Sequence, residues 1–225
     1  ELFAGKTKLD IILIPIGTLL LSFVGVFVAW PFIKLIDLFA ELLVITINAG
    51  EAVKIIIGVL IAVVMGILLT MPTSSAAIWV AIATSNTALQ NEEVFAIAGG
   101  AAVAGCAAHM IGFAVTSYRE NGFGGFIAQG LGTSMLQIPN IMKKPIIMLP
   151  MIISSAILGP ISTCVFKLYC GSSGGGMGTS GLVGVFDLFK YTNGALGIVG
   201  IILLMIILPA LLNFFVTPSA KPLGE

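Results

Sequence analysis

The sequence has 225 residues, of which 58% are hydrophobic and 9% are charged, and its ten basic residues balance its ten acidic residues. Soluble domains carry about 25% charged residues and nucleic-acid-binding proteins display a basic surface, so the composition excludes an ordinary soluble domain and a nucleic-acid partner. The mean hydropathy of +1.15 predicts an all-α integral membrane protein surrounded by a lipid bilayer. We expect one membrane domain over residues 1–225 and, because the chain begins with Glu1 rather than Met, the later part of a longer protein.

Five segments are long and apolar enough to cross a bilayer, which requires about 20 residues of helix. They are residues 11–32, 53–69, 94–117, 145–166 and 196–216. Residues 34–50 carry one polar stripe, which predicts a separate short helix that lies in the membrane interface or packs at a tilt. Residues 71–90 are too short and too polar at both ends to cross alone, and we expect a re-entrant turn there.

Two glycine-rich stretches follow the third and fourth predicted spans and share one plan. The first, within NGFGGFIAQGLGTSMLQIPN at 121–140, contains Gly-Thr-Ser at 132–134, and the second, CGSSGGGMGTSGLVG at 170–184, contains Gly-Thr-Ser at 178–180. If each stretch dips into the membrane and returns to its own side, consecutive units cross in opposite senses. We therefore predict re-entrant hairpins at 122–134 and 171–181 that enter from opposite faces and form an inverted repeat, the interface at which transporters commonly bind their substrates.

Two interpretations are open for the second stretch, a flexible linker or a binding loop. Runs of glycine and serine often form linkers, but residues 168–186 contain no charge, and non-helical backbone at membrane depth is tolerated where it is buried or lines a wet cavity. Glycine N–H groups and short hydroxyls can bind a polar solute. The candidate substrate-binding residues of the two stretches are Thr133, Ser134, Gln137, Ser172, Ser173, Gly175, Gly176, Thr179 and Ser180.

His109 is the only histidine and lies deep in the third predicted span. Small residues at 100, 104, 108 and 112 form a row beside it that lets another helix approach, so we expect His109 to face the interior of the bundle. Ionisable groups at this depth usually mark a solute or proton pathway, which makes His109 a tenth candidate; the alternative is a neutral packing residue. Glu92 and Glu93 open the same helix, where they either stabilise its N-terminus or serve the function.

No metal site, cofactor or catalytic group is predicted. His109 lacks a second histidine or a suitable cysteine pair nearby, and the cysteines at 106, 164 and 170 are expected to be small apolar filler. The sequence also lacks the G-x-S-x-G elbow of serine hydrolases and an in-span carboxylate that would orient His109. We therefore expect a transport component at most, without an enzymatic site of its own.

The stretches GFGGFIAQGLGTSMLQIPNI and CGSSGGGMGTSGLVG resemble the membrane-embedded IIC components of the bacterial sugar phosphotransferase system, chiefly over residues 70–216. The nearest likeness is a divergent branch that includes perfringolysin-regulator-type proteins. The resemblance implies a homodimeric, multi-pass permease of the bacterial plasma membrane that holds a sugar at mid-membrane between re-entrant hairpins. It also implies a cytoplasmic IIB partner that phosphorylates the sugar.

Two functions remain as hypotheses. One is a IIC-like permease for a small polar solute, in particular a sugar, and the other is a membrane-embedded regulator or sensor on the same scaffold without phosphotransfer. IIC proteins of the glucose type carry a hairpin glutamate that holds sugar hydroxyls, whereas the comparable stretch GLGTSMLQIPN has no carboxylate. This difference weakens the case for phosphoryl-coupled uptake. A purely structural membrane protein is disfavoured by the paired glycine-rich units.

Overall fold

The structure is a computed structural model that describes residues 10–47 and 51–216, and within these ranges it contains helices and turns but no strand. Its α-helices are α1 (Asp10–Ile47), α2 (Glu51–Thr70), α3 (Ser75–Ala83), α4 (Asn86–Gln90), α5 (Glu92–Thr116), α6 (Tyr118–Ile127), α7 (Ile138–Lys143), α8 (Leu149–Pro160), α9 (Val183–Tyr191), α10 (Ala195–Ile202) and α11 (Leu208–Val216). Short 3-10 and π turns extend α8 to Pro145–Val165 and join α10 to α11 as Ala195–Val216.

The chain divides into two compact units, Glu1–Phe39 and Ala40–Glu225. Helix α1 runs without a break from Asp10 to Ile47, so the predicted separate helix at 34–50 is wrong as far as residue 47, and residues 48–50 lie outside the described part of the chain. No glycine or proline stands between Phe32 and Ile47 to end the helix, and without such a stop signal a run of helix formers continues.

Helix α5 is the centre of the second unit. In its most apolar window 83% of the residues are buried, against 44% for Pro145–Val165 and 33% for Ala195–Val216. Helices α2, α8 and α11 pack around it. Its small residues, GGAAVAGCAA at 99–108, allow this close packing because helix backbones approach most closely where side chains are small.

Glycines of α5 and α8 lie where neighbouring helices approach most closely. A Cβ added to Gly105 would collide with the carbonyl of Ala62 in α2, and one added to Gly112 would lie 2.7 Å from the Asn213 Nδ2 of α11. On the neighbouring pair, α2 and α8, Gly159 leaves no room for a Cβ against Gly58. The packing of these four helices therefore depends on glycine at the crossing points.

Three helices among the described residues are long and apolar enough to cross a membrane: Glu92–Thr116, Pro145–Val165 and Ala195–Val216. They coincide with the third, fourth and fifth predicted spans. The first two predicted spans fall in α1 and α2, whose described apolar stretches, Ile14–Phe27 and Ile55–Thr70, are shorter. An all-helical membrane protein is therefore supported, and the count of five crossings remains a prediction.

The segments between the long helices differ in regularity. Residues 71–90 form the short helices α3 and α4, each begun by a serine whose hydroxyl accepts a backbone N–H. The first glycine-rich stretch is mostly helical, broken at Gly122, where φ is +60°, and continued by a π turn over Ala128–Gly132. The second one contains turns but no helix from 167 to 179. Irregular backbone is thus concentrated in the second stretch.

Candidate functional site

Residues 170–180, here called the glycine loop, begin by folding around the carboxylate of Asp187 in α9. The N–H groups of Gly171 and Gly174 each donate to Asp187 Oδ2 at 2.9 Å, and the Cys170 thiol donates to the same oxygen at 3.2 Å. Asp187 is 9% exposed. Hydrogen bonds to an ionised acceptor are about twice as strong as neutral ones, so this carboxylate offsets part of the large entropy cost of ordering glycines.

The Cys170 thiol belongs to this contact and lies outside the three candidate spanning helices. Burial raises the pKa of Cys170, and the adjacent Asp187 carboxylate raises it further. The thiol therefore keeps its proton and acts as a hydrogen-bond donor to Asp187. Cys170 was expected to be small apolar filler, and in the structure its thiol also makes a polar contact.

The opposite side of the glycine loop rests on α3. The Ser75 hydroxyl donates to the Gly176 carbonyl at 2.7 Å, and the Trp79 indole N–H donates to the Gly171 carbonyl at 3.1 Å. A Cβ on Gly175 would collide with the Trp79 ring, and one on Gly176 would collide with the Ser75 carbonyl. Glycine is required here because the loop backbone lies directly against α3.

The third side of the loop lies against α5. The Cys170 N–H donates to the Ala96 carbonyl at 2.9 Å, and Gly178, with φ of +56°, leaves no room for a Cβ beside Cys106 and Ala107. Glycine is favoured at position 178 because it adopts a positive φ without strain and because it has no Cβ to collide with α5. The linker interpretation is therefore wrong, and the prediction of an ordered stretch that packs against the third span is confirmed.

The two glycine-rich stretches meet through the repeated tripeptide. The Thr179 hydroxyl donates to the Gly130 carbonyl at 2.6 Å, and the Ser180 hydroxyl donates to the Gly132 carbonyl at 2.8 Å. These bonds satisfy carbonyls in the irregular part of the first stretch, which a regular helix would have satisfied internally. The contact between the two glycine-rich stretches is thus polar, with the donors in the second stretch and the acceptors in the first.

His109 belongs to a buried network centred on Thr70 of α2. The Thr70 hydroxyl donates to the Gly66 carbonyl at 3.0 Å and lies 3.0 Å from His109 Nδ1 and 3.2 Å from the Ser134 hydroxyl. A hydroxyl has one hydrogen to donate, so with that hydrogen on Gly66 both neighbours donate to Thr70. In that arrangement His109 carries its proton on Nδ1, and its Nε2 is buried without a hydrogen-bond partner.

A chain of amides fixes the first stretch to the end of α5. Asn140 donates to Gln137 at 2.8 Å, Gln137 donates to Gln129 at 2.9 Å, and Gln129 donates to Ser117 at 2.9 Å. The Ser117 hydroxyl in turn donates to the Phe113 carbonyl at 2.7 Å. The Gln137 amide is therefore engaged on both its oxygen and its nitrogen.

A cavity of about 500 Å³ opens beside the start of the glycine loop. Its polar lining comes from Glu92, Glu93, Ser172 and Tyr191, together with the backbone of Gly171. Its apolar lining is formed by Ala83, Ala88, Leu89, Phe95, Ala96 and the buried Cys170. Small-molecule sites in proteins have volumes of about 300–1,000 Å³, mostly apolar walls and a few polar groups, and this cavity fits that description.

The structure distributes the ten predicted site residues over three places rather than one. At the cavity, Ser172 forms part of the wall and Ser173 is exposed beside it in the sequence. In the middle of the loop, Gly175 and Gly176 pack against α3. The remaining six lie at or near the contact between the two stretches: His109, Thr133, Ser134, Gln137, Thr179 and Ser180.

Sequence reasoning missed Asp187, Thr70 and the α3 contacts. Asp187 had a usable signal, since it is a single carboxylate in the apolar segment GLVGVFDLFK directly after an uncharged loop, and a charge in such a place requires a partner. Thr70 and Trp79 carried no such signal in the sequence, because a threonine or tryptophan in an apolar helix is common. For Glu92 and Glu93 the sequence left two interpretations open, stabilisation of the α5 N-terminus or a functional role, and the two residues line the cavity.

One of three comparisons with known proteins identifies the family of the chain. Neither the curated proteins nor the solved structures include a match to the chain. The family model described as "Phosphotransferase system, EIIC" matches residues 1–223, which is nearly the whole sequence. The chain therefore belongs to the EIIC family of the phosphotransferase system.

Proposed function

We propose that this chain is the multi-pass permease component of a sugar phosphotransferase system in the bacterial plasma membrane, and that it binds its sugar beside the glycine loop. The observation that carries the proposal is the ordered, uncharged loop bordering a cavity of about 500 Å³ in a chain matched by the EIIC family over residues 1–223. The predicted re-entrant entry of 122–134 and 171–181, and the inverted repeat, are parts of the same proposal.

The chemistry of the cavity suits a neutral sugar. Glu92 and Glu93 supply carboxylate oxygens that accept hydrogen bonds from hydroxyl groups, and such charge-assisted bonds are short and strong. Ser172 adds a hydroxyl that can donate or accept. The Tyr191 ring and the alanines offer apolar surface to the C–H face of the sugar.

The deeper candidate residues serve a second contact at mid-membrane. When the two glycine-rich stretches separate, the hydroxyls of Thr179 and Ser180 lose the carbonyls of the first stretch and become available to the sugar, together with Thr133, Ser134 and Gln137. The unpartnered Nε2 of His109 is available for a hydrogen bond with a sugar hydroxyl in that state. Transporters commonly alternate access by such relative movement of their repeats around a central site.

A homodimer and a cytoplasmic IIB partner complete the proposal. Mass measurement of the purified protein in lipid nanodiscs tests the dimer.

The competing function is a membrane regulator or sensor. It is favoured by the absence of a carboxylate from GLGTSMLQIPN and by the hydrogen bonds that Gln137 already makes in the amide chain.

Uptake of a panel of labelled sugars tests the function, in cells that express the chain with and without the general phosphotransferase proteins. Uptake that requires those proteins supports the coupled permease, and uptake without them supports an uncoupled one. Absence of uptake for every sugar contradicts both and favours the regulator. Glu92→Gln should reduce uptake, whereas the matched control Glu41→Gln, at an exposed position in α1, should not.

A further inference from the structure

We propose that Asp187 is the positioning residue of the glycine loop: its carboxylate keeps the loop closed as a wall of the solute cavity, and its removal opens that wall and exposes Cys170. The inference rests on the proposed function, since the cavity is the proposed sugar site. Asp187 touches no solute in this scheme and acts through the loop.

The geometry makes one oxygen responsible for the start of the loop. All three donors, at residues 170, 171 and 174, reach Asp187 Oδ2, at distances of 2.9 to 3.2 Å. Two of these residues, Cys170 and Gly171, also line the cavity. Two of the three residues that Asp187 holds therefore belong to the wall of the cavity.

The space around the carboxylate supports the same conclusion. A Cβ added to Gly174 would lie 2.6 Å from the Asp187 Cβ, 2.8 Å from its Oδ2 and 2.8 Å from the Cys170 sulfur. Any larger residue at 174 would push the loop away from Asp187. Gly174→Ala therefore disrupts the contact from the loop side without altering the carboxylate.

The remaining bonds at this end of the loop have neutral partners. The Trp79 indole N–H donates to the Gly171 carbonyl, and the Cys170 N–H donates to the Ala96 carbonyl. A neutral hydrogen bond of this kind is about half as strong as one to an ionised group. Losing the carboxylate also leaves two loop N–H groups to find new partners, which is costly for buried backbone. Opening of the loop should thus depend on Asp187 more than on its other contacts.

Labelling of Cys170 measures this opening directly. The chain has three cysteines, so Cys106→Ala with Cys164→Ala leaves Cys170 as the reporter, and its rate of reaction with N-ethylmaleimide is followed in membrane vesicles. We expect slow labelling with Asp187 intact, because Cys170 is 1% exposed. Asp187→Ala and Gly174→Ala should each accelerate it about tenfold or more, the effect of losing roughly 1.4 kcal/mol of closure.

Two further variants control the comparison. Asp187→Asn keeps an oxygen acceptor without the charge, so it should label at an intermediate rate. Phe186→Ala changes the adjacent residue of the same helix, which is 66% exposed, and should label like the parent. Size-exclusion chromatography in detergent reports whether each variant is folded, and if Asp187→Ala is not, Asp187→Asn and Gly174→Ala provide the same test.

Sugar uptake supplies a second readout that a merely structural role would not move. We expect Asp187→Asn to raise the apparent KM about tenfold while the maximal rate per folded protein stays within about twofold. A residue needed only for folding would lower the amount of folded protein and leave KM unchanged.

The outcomes separate this inference from the proposed function. Labelling of Cys170 at the parental rate in both Asp187→Ala and Gly174→Ala overturns it, and faster labelling with an unchanged KM overturns the link between the loop and the cavity. If the parent takes up no sugar, the proposed function fails, and the labelling rates still decide by themselves whether Asp187 closes the loop.

Discussion

At the scale of single residues, the Thr70 hydroxyl is the hub of the buried histidine network. Thr70→Val removes the hydroxyl that hydrogen-bonds His109 Nδ1 and the Ser134 hydroxyl while preserving shape. Because buried polar groups without partners cost about 1–3 kcal/mol, we expect the free energy of unfolding to fall by that amount. Chemical unfolding in detergent measures it.

The matched control for this prediction is Thr116→Val. Thr116 lies in α5, and its hydroxyl bonds to carbonyls of its own helix, at Gly112 and Phe113. An equal loss of stability in both variants would contradict the special role of Thr70.

His109 tests whether the network serves binding or packing. His109→Leu fills the site with apolar volume, so we expect the free energy of unfolding to change by less than about 1 kcal/mol, while sugar uptake is lost with the Nε2 contact. His109→Ala should likewise impair the response to solute more than folding. Full uptake by a His109→Leu protein of unchanged stability would show that the histidine only packs.

At the scale of elements, the contact between the glycine loop and α3 depends on Gly175 and Gly176. Gly175→Val and Gly176→Val should each abolish uptake, because the added side chains collide with Trp79 and Ser75. The matched control is Gly132→Val in the first stretch, where no atom lies within 4 Å of the Cβ position. Uptake measured alongside the amount of protein in the membrane distinguishes lost activity from lost protein.

These substitutions also provide an independent check that the stretch is not a connector. A flexible linker would accept valine at both positions without loss. Intact uptake in the two variants would therefore contradict the ordered, buried loop.

The inverted repeat is tested by the side from which each glycine-rich stretch can be reached. Gly124→Cys and Ser173→Cys introduce thiols at exposed positions, in a protein whose own cysteines are replaced. A membrane-impermeant maleimide should label one from outside intact vesicles and the other only after permeabilisation, because the hairpins are predicted to enter from opposite faces. Labelling of both from the same side would rule out the opposed hairpins.

At the scale of the whole molecule, the packing of α2, α5 and α8 depends on glycines at the helix crossings. Gly105→Val should prevent normal folding of the second unit, since its side chain would occupy the position of the Ala62 carbonyl, and overpacking costs about 1–3 kcal/mol or more. Gly25→Val in α1, with no atom within 4 Å of the Cβ position, is the control. Monodispersity in detergent measures the outcome, and a normal elution profile for Gly105→Val would contradict the described packing.

Local patterns in the sequence were sufficient to predict part of the fold. Composition alone indicated an all-helical membrane protein, because hydropathy sums over residues without regard to their arrangement. The spans that became α5, Pro145–Val165 and Ala195–Val216 were predicted because an apolar run of sufficient length is a property of consecutive residues. The small-residue row of α5 was predicted for the same reason, since positions four apart lie on one face of a helix.

The tertiary structure decided which polar groups meet, and no local pattern contains that information. Ser75 and Gly176 are 101 positions apart, and His109 and Thr70 are 39 apart, so their contacts depend on how distant helices pack around α5. The sequence by itself determined the membrane class, three helices long and apolar enough to cross a bilayer and the presence of two glycine-rich stretches. Only the fold decided that three donors of the second stretch meet at Asp187, because a buried carboxylate can be satisfied only by donors that packing brings within hydrogen-bond distance.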